Sequence, residues 1–166
     1  MRTYLIDTCI WGYWFNIERP QHAAVMRHAN NLPRDSVLGI SVITWGEIAY
    51  GHKVETSAET SIQNQYLQFV ASQGPTTFGI DTHIANVYGK LRASLFERYV
   101  PKNKRSGLRP EQIINPATSL SLGIQENDLW IVAQAMTRNL TLVTHDNLSH
   151  IREVAGIDLY IEDWAS

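Results

Sequence analysis

Short apolar segments alternate with longer segments of helical period along most of the 166-residue chain. The apolar segments favour strands and cover residues 3–6, 37–40, 76–80, 141–143 and 159–161. Between them, apolar residues recur every three to four positions, which is typical of amphipathic helices. Strands that alternate with helices predict a parallel sheet covered by helices on both faces. We therefore predict an α/β fold with three layers and a mostly parallel central sheet.

The stretch from about residue 100 to 125 interrupts this alternation. It contains Pro101, Pro110 and Pro116, half of the six prolines, together with four basic residues. We predict a long connecting segment with at most a short helix near residues 111–114. Segments of this length are uncommon in compact domains and tend to be functional or mobile. Neither an internal repeat nor a linker divides the sequence, so we expect a single domain over residues 1–166.

The composition excludes several classes of protein. With 44% hydrophobic and 18% charged residues, the chain is neither disordered nor fibrous. Its single cysteine, Cys9, cannot form an internal disulfide, so we expect a reducing, cytoplasmic compartment. The sequence has no run approaching the roughly 18 apolar residues of a membrane span, so we expect no membrane partner.

The basic residues are concentrated in one part of the chain. The net charge of −2 argues at first against nucleic-acid binding. From Lys90 to Arg109, however, seven basic residues face one acid, Glu97, which leaves this part at +6 and the rest of the chain at −8. Such a distribution allows cations to bind in one region and phosphates in another.

Four acidic residues occupy similar places in the predicted elements. Asp7 and Asp146 follow strands, Glu47 lies early in the helix after the second strand, and Asp128 begins an apolar, predicted buried helix. Binding sites in open parallel sheets form beyond the carboxyl ends of the strands, so these carboxylates can meet at one edge. Each also has a simpler explanation as a helix cap or first-turn acid, and residues 44–47 match the capping-box pattern.

The sequence around these acids resembles the PIN domain, and within it the VapC-type toxins of bacterial toxin–antitoxin pairs. Four segments carry the resemblance over essentially the whole chain: YLIDT at 4–8, SVITWGEIAYG at 41–51, NDLWIVAQA at 127–135 and LVTHD at 142–146. It implies a PIN-like fold and an acidic quartet accompanied by a hydroxyl residue: Asp7, Glu47, Asp128 and Asp146, with Thr144. Asp81 falls where the family has a polar helix start, so we interpret it as a cap. The connection at 101–123 is longer than the one usual before the third acid.

Carboxylates this close together require compensation, since a pair about 4 Å apart repels by on the order of 4 kcal/mol at an effective dielectric of about 20. A hard divalent cation supplies it, and carboxylate oxygens suit Mg²⁺ or Mn²⁺. We interpret Asp7 and Asp128 as the main ligands, and Glu47 and Asp146 as further ligands, direct or through water. The sequence has no zinc-site spacing, P-loop or GxGxxG pattern, which disfavours zinc, ATPase and dinucleotide sites.

A carboxylate-held magnesium ion promotes phosphodiester hydrolysis. The resemblance implies endoribonuclease activity on RNAs such as tRNA or ribosomal RNA. We therefore expect a metal-dependent endoribonuclease, the toxin of a VapBC-type pair, which binds a cognate antitoxin and forms a homodimer. Two alternatives stay open: a housekeeping PIN nuclease of RNA processing without an antitoxin, and a non-catalytic module that binds RNA or protein.

The basic segment offers candidate contacts to the RNA backbone. Neutralising phosphates with Lys or Arg releases counterions and makes binding depend steeply on salt. The candidates are Lys102, Lys104, Arg105 and Arg109. The same residues also fit a solvated loop or a docking site for an acidic partner.

Several other residues are expected to be structural. Trp11, Trp14, Trp45 and Trp130 lie in helical apolar stripes, so we predict that they pack in the core or at a subunit interface. We expect His145, next to Asp146, to point to solvent.

Overall fold

The computed structural model describes residues 2–54 and 60–166. Within these residues, five strands alternate with seven α-helices. The strands are β1 (Thr3–Ile6), β2 (Val37–Ser41), β3 (Thr76–Phe78), β4 (Thr141–Val143) and β5 (Tyr160–Glu162). The helices are α1 (Thr8–Phe15), α2 (His22–Asn30), α3 (Val42–Val54), α4 (Thr60–Ser72), α5 (Thr82–Tyr99), α6 (Glu126–Thr137) and α7 (Ser149–Ala155). In this described part of the chain, no helix is long and apolar enough to cross a membrane.

The strands form one sheet in the order β3-β2-β1-β4-β5. The central strand β1 runs parallel to β2, with Thr3 opposite Val37, and parallel to β4, with Tyr4 opposite Thr141. Strand β2 in turn runs parallel to β3. Three of the four residues of β1 are buried, as expected at the centre of a parallel sheet. The predicted α/β class with a mostly parallel central sheet is confirmed.

Two strand boundaries differ from the prediction, and so does one capping motif. The third strand ends at Phe78 instead of residue 80, and the last strand covers Tyr160–Glu162 instead of 159–161. Helix α3 begins at Val42, directly after β2, because the Ser41 hydroxyl accepts a hydrogen bond from the Ile43 backbone N–H at 3.0 Å. The capping-box interpretation of residues 44–47 is therefore wrong, since these residues lie inside α3.

Residue contacts divide the chain into two compact units. The first contains the described residues up to Gly79, with Leu140–Asp146 and Ile161–Ser166, and thus includes α1–α4 and β1–β4. The second contains Ile80–Asn139 and Asn147–Tyr160, and thus includes α5–α7. The prediction of a single domain stays a prediction.

Aromatic side chains fill the core of the first unit. Trp11 is fully buried, and its ring stacks on Trp14 with centroids 5.5 Å apart and an interplanar angle of 12°. Tyr4 of β1 packs against Trp164 near the chain end, with ring centroids 5.4 Å apart. The predicted core positions of Trp11 and Trp14 are confirmed. This core holds α1 and β1 in place, and the two elements meet at Asp7.

Helices α5 and α6 pack against each other in the second unit. Six residues of α6 are buried, namely Leu129 and Ile131, Val132, Ala133, Gln134 and Ala135, which confirms the predicted buried helix. The Trp130 ring stacks face to face on Tyr88 of α5, with centroids 3.8 Å apart. Arg92 of α5 forms an ion pair with Glu126, the first residue of α6, at 2.9 Å.

The connecting segment between α5 and α6 has more structure than predicted. It contains two 3₁₀ turns, Lys102–Lys104 and Pro110–Gln112, where the sequence predicted one short helix near 111–114. A bridge joins Ile114 to Ser121, and Ile113 is 1% exposed. Buried apolar side chains and backbone pairing therefore hold this segment within the second unit.

Candidate active site

Asp7 lies at the carboxyl end of β1 and is the N-cap of α1. Its backbone N–H donates to Val143 O of β4 at 3.0 Å, which fixes the position of the backbone. The carboxylate, only 7% exposed, accepts hydrogen bonds from the Thr8 backbone N–H and the Thr144 hydroxyl, both at 2.7 Å. Asp7 therefore caps α1, and the same side chain remains available as a candidate functional acid.

Thr144 links Asp7 to the segment that carries Asp146. Its backbone N–H donates to Glu162 O at 3.1 Å, so it lies where β4 ends. Its hydroxyl donates to Asp7 and accepts from the Asp146 backbone N–H at 3.0 Å. The carboxylates of Asp7 and Asp146 and the Cys9 thiol each bring one potential ligand atom within 4.8 Å of the others.

Glu47 reaches the same cluster from α3. The Thr8 hydroxyl, at the start of α1, donates to Glu47 Oε2. The negative charges of Glu47 and Asp146 both raise the pKa of Asp7, so the three carboxylates lie within electrostatic reach of one another. The first unit therefore brings together three of the four predicted acids.

The second unit contains Asp128, the third residue of α6. Its carboxylate accepts a hydrogen bond from the Gln125 backbone N–H at 3.4 Å, which is the contact of a first-turn capping acid. Asp146, in contrast, caps no helix. Among the described residues at the start of α7, the Asn147 side chain accepts from the Ser149 backbone N–H at 3.1 Å.

Burial is the main reason that the pKa of Asp7 rises from 3.8 to about 6. Hydrogen bonds from Thr144 and Thr8 lower this pKa, while the charges of Asp146 and Glu47 raise it further. Ionised Asp7 is therefore stabilised less in the fold than in water, although two donors point at it. A bound cation would remove this imbalance.

The donor set fits a hard cation better than a soft one. Burial, followed by the Asp7 charge, raises the pKa of the Cys9 thiol to about 12, so Cys9 stays a neutral thiol. Soft metals such as zinc are held by thiolates or imidazoles, whereas carboxylate oxygens suit Mg²⁺ and Mn²⁺. The clustered oxygens of Asp7 and Asp146 fit a magnesium or manganese ion.

A protein family profile described as the PIN domain matches residues 4–157. The chain belongs to the PIN domain family. The match includes all four predicted acids and Thr144, and it confirms the PIN-like fold expected from the sequence. No curated protein matches the chain significantly.

Several solved structures resemble this PIN domain over nearly its full length. VapBC-1 from nontypeable Haemophilus influenzae is 21% identical, with 99% of both chains covered and a TM-score of 0.70. VapBC2 from Rickettsia felis, bound to a DNA fragment from its promoter, is 22% identical, with 98% of both chains covered and a TM-score of 0.68. FitAcB from Neisseria gonorrhoeae is 16% identical, with 97% of both chains covered and a TM-score of 0.66. At these identities the likeness establishes a shared fold.

The basic residues predicted to contact RNA lie in the second unit and differ in their surroundings. Lys102 and Lys104 are exposed on the first 3₁₀ turn, and Arg109 is exposed beside the second. Arg105 instead donates from Nε to Val100 O at 2.8 Å and from Nη2 to Glu97 O at 3.3 Å. Its guanidinium therefore fixes the connecting segment to the end of α5.

Sequence reasoning did not predict three contacts around the carboxylate cluster and His145. Thr8 orients Glu47, Cys9 contacts Asp7 Oδ2 at 3.7 Å, and Asp163 holds the exposed His145 with an Oδ2 to Nδ1 distance of 3.0 Å. The Tyr13 ring lies edge-on to His145, with centroids 5.8 Å apart. The hydroxyl directly after Asp7 was a readable signal, whereas the His145–Asp163 pair joins residues whose contact no local pattern reveals.

Proposed function

We propose that this PIN domain is a metal-dependent endoribonuclease and the toxin of a VapBC-type toxin–antitoxin pair. The observation that supports this chemistry is that Glu47 and Asp146 lie close to the buried carboxylate of Asp7, whose pKa is raised. Three acids that lie close together around a carboxylate whose ionised form is disfavoured fit a site built to hold a cation.

Asp7, Glu47, Asp128 and Asp146 are the proposed ligands of a Mg²⁺ or Mn²⁺ ion. Asp128 is included on the strength of its sequence context. When bound, the cation supplies positive charge that stabilises the charge developing on the phosphate and favours ionisation of the attacking water.

The residues of the chain then act by positioning and by proton transfer. The Thr144 hydroxyl fixes the Asp7 carboxylate, and the Thr8 hydroxyl fixes Glu47. Water attacks phosphorus, the bond from phosphorus to the leaving ribose oxygen breaks, and either Glu47 or Asp146 accepts the proton of the water. The leaving oxygen takes a proton from solvent.

The proposed substrate is a structured RNA such as tRNA or ribosomal RNA, cut in the cytoplasm. Lys102, Lys104, Arg105 and Arg109 are the proposed contacts to its backbone, and the exposure of the two lysines and Arg109 supports this role. Charge reversal at the exposed Lys104 and Arg109 is expected to weaken RNA binding and flatten its salt dependence. An unchanged salt slope would leave only a structural or partner-binding role for the segment.

The proposed partners are a cognate antitoxin and a second copy of the chain. The similar VapBC structures support an antitoxin partner, since VapBC-5 from Mycobacterium tuberculosis is described as a member of the VapBC family of toxin–antitoxin systems. A toxin of this kind is expected to be encoded beside a small DNA-binding antitoxin.

The test is induced expression with and without the neighbouring open reading frame. The parent is expected to arrest growth, co-expression of the neighbour is expected to relieve the arrest, and Asp7→Asn is expected to be harmless. Purified parent should cut RNA in Mg²⁺ or Mn²⁺ and stop in EDTA. Arrest that the neighbour fails to relieve would favour a housekeeping nuclease, and Asp7→Asn that cuts at the parental rate would refute the metal site.

A further inference from the structure

A groove of about 410 Å³ lies between α1 and α4 in the first unit. This volume is within the range of ligand pockets, about 300–1,000 Å³. Helix α1 contributes Gly12 and Tyr13, helix α4 contributes Ile62 and Tyr66, and Arg19 lies in the turn that follows α1. The proposed chemistry gives this groove no role so far.

The groove adjoins the carboxylate cluster. Cys9 lines it, and the Cys9 sulfur is also within 4.8 Å of ligand oxygens of Asp7 and Asp146. Burial raises the pKa of Tyr66, and the charges of Asp7 and Glu47 raise it further, so this groove residue is within electrostatic reach of the acids. A phosphodiester held at the cluster carries a nucleotide on each side, and the groove is an adjoining cavity that can hold one of them.

Gly12 keeps the groove open. It lies inside α1, where glycine is among the least favourable residues. Its backbone does not require glycine, because its φ is not positive, and a Cβ at this position would meet no other atom within 4 Å. Neither helix geometry nor packing explains the glycine, whereas a side chain here would narrow the groove.

The aromatic walls of the groove are held in place. Tyr13 packs edge-on to His145, whose Nδ1 is fixed by Asp163. Tyr66 packs against Phe15, with ring centroids 5.1 Å apart. Fixed aromatic rings beside a cation are typical of sites that bind single-stranded nucleic acid by base stacking and phosphate contacts. Arg19 supplies the cation, and it forms no ion pair within residues 2–54 and 60–166.

We infer that this groove binds one nucleotide of a single-stranded RNA, next to the phosphate at the carboxylate cluster. The base occupies the space beside Gly12 and stacks on an aromatic wall, while Arg19 pairs with the neighbouring phosphate. The inference rests on the proposed ribonuclease function. RNA is favoured over a protein segment because the groove begins at the proposed phosphate site and combines flat rings with an unpaired cation.

The test compares Gly12→Leu with Gly89→Leu. Both glycines lie inside helices with open space at Cβ, but Gly89 is on α5 and does not line the groove. Fluorescence anisotropy measures binding of a fluorescein-labelled oligo(A) octaribonucleotide in Ca²⁺, and a gel checks that the probe stays intact. Gly12→Leu is expected to raise Kd by at least about tenfold, the loss expected for one stacked base, while Gly89→Leu stays within about twofold of the parent.

A second variant covers the case in which Gly12→Leu folds poorly. Arg19→Gln, on an exposed turn, is expected to reduce the slope of log Kd against log salt by about 0.7, the contribution of one single-strand phosphate. Equal affinity of Gly12→Leu and parent, or no octamer binding by the parent, would overturn the inference. So would a Gly12→Leu variant that keeps its RNA affinity and loses only binding of the neighbour-encoded protein.

Different results would contradict the proposed nuclease activity and the proposed nucleotide site in the groove. A parent that cuts no RNA in Mg²⁺ or Mn²⁺ contradicts the nuclease proposal. A parent that cuts RNA, beside a Gly12→Leu variant that binds and cuts with the same Kd and KM, contradicts the groove assignment alone.

Discussion

Asp7 shows at the scale of one residue how a functional site lowers stability. The carboxylate is buried among two other acids, and the hydrogen bonds from Thr144 and Thr8 do not compensate fully for its lost hydration. A pKa raised from 3.8 to about 6 corresponds to about 3 kcal/mol at most. The fold therefore carries an energetic cost at neutral pH, which a cation at the proposed site would offset.

Asp7→Asn is expected to stabilise the metal-free protein at neutral pH. The pKa of Asp7 is higher in the folded than in the unfolded state, so protonated Asp7 favours the folded state. This contribution to the unfolding free energy is full below pH 3.8 and is lost as the pH rises through about 6. In EDTA at pH 7.5 the variant should exceed the parent by about 1–3 kcal/mol, and at pH 4 the two should be nearly equal. Urea unfolding at both pH values measures the difference.

The matched control is Asp158→Asn, a change at an exposed aspartate that should leave the unfolding free energy unchanged. An Asp7→Asn variant that is less stable than the parent at pH 7.5, or that is stabilised equally at both pH values, would contradict the proposed free-energy cost of ionising Asp7 in the fold.

Thr144→Val is expected to weaken metal binding by about 10–100-fold, the usual effect of losing a residue that orients a ligand. The variant removes the hydroxyl that donates to Asp7 and accepts from the Asp146 backbone N–H. The pKa of Asp7 should then rise further, because this hydrogen bond lowers it. Calorimetric titration with Mn²⁺ measures the affinity. Thr144→Ser should restore it, and equal affinities for the valine and serine variants would exclude the hydroxyl as the cause.

Most of this site could be predicted because its acids lie at positions that local patterns reveal. Asp7 and Asp146 follow apolar strand segments, and Glu47 lies on the helix after β2. Position alone does not define the role of Asp128, since an acid at the third residue of a helix can cap the backbone and still serve as a ligand. The Thr8–Glu47 contact joins residues 39 positions apart, and no local pattern encodes it.

At the scale of elements, the pairing of β2 with β3 depends on one glycine. A Cβ at Gly39 would lie 2.4 Å from Cε2 of Phe78 and 3.2 Å from Tyr4 O. Gly39→Ala is therefore expected to destabilise the protein by about 1–3 kcal/mol, the typical cost of overpacking. Adding Phe78→Leu should recover part of the loss, since the smaller side chain makes room. Thermal melting of the single and double variants measures this, and a Gly39→Ala variant as stable as the parent would contradict the close packing.

Two neighbouring basic residues of the connecting segment have different surroundings: Arg105 binds backbone carbonyls, whereas Lys104 is exposed. Arg105→Ala removes two hydrogen bonds to carbonyls at the end of α5, so amide exchange near residues 100–105 should accelerate and stability should fall by about 1 kcal/mol. Lys104→Ala should leave exchange unchanged and lower the salt slope of RNA binding by about one phosphate contact. Hydrogen exchange detected by mass spectrometry checks the first expectation. Equal exchange in both variants would contradict the structural role of Arg105.

A match to a local capping pattern did not mark the start of α3. Residues 44–47 match a capping box, yet α3 begins earlier because Ser41 ends β2 and also caps the helix. No loop separates β2 from α3, so the capping-box pattern at residues 44–47 lies inside the helix. The prolines of the connecting segment predicted at most one short helix, whereas the segment contains two 3₁₀ turns, and its buried Ile113 and Leu122 pack in the second unit.

At the scale of the whole molecule, the basic segment holds less free positive charge than the sequence indicates. Arg92 and Arg98 form ion pairs with Glu126 and Glu153, both at 2.9 Å, and Arg105 binds backbone carbonyls. The basic side chains of this region that are exposed are Lys90, Lys102, Lys104, Arg98 and Arg109. Few free basic side chains therefore remain to make RNA binding depend on salt. A cation at the proposed site would then supply a larger part of the positive charge that faces a phosphate.

Cation binding should stabilise the whole fold, because a ligand that binds only the native state adds to its unfolding free energy. At 100 times Kd the gain is about 2.7 kcal/mol, which raises the melting temperature of a domain of this size by roughly 5–10 °C. We expect the parent to show this rise with Mn²⁺ and Asp7→Asn to show little of it. Asp128→Asn should also lose most of the rise if Asp128 completes the ligand set, and differential scanning fluorimetry against Mn²⁺ concentration measures all three. An Asp128→Asn variant that responds like the parent would remove Asp128 from the proposed site, and a parent that does not respond would contradict the metal site itself.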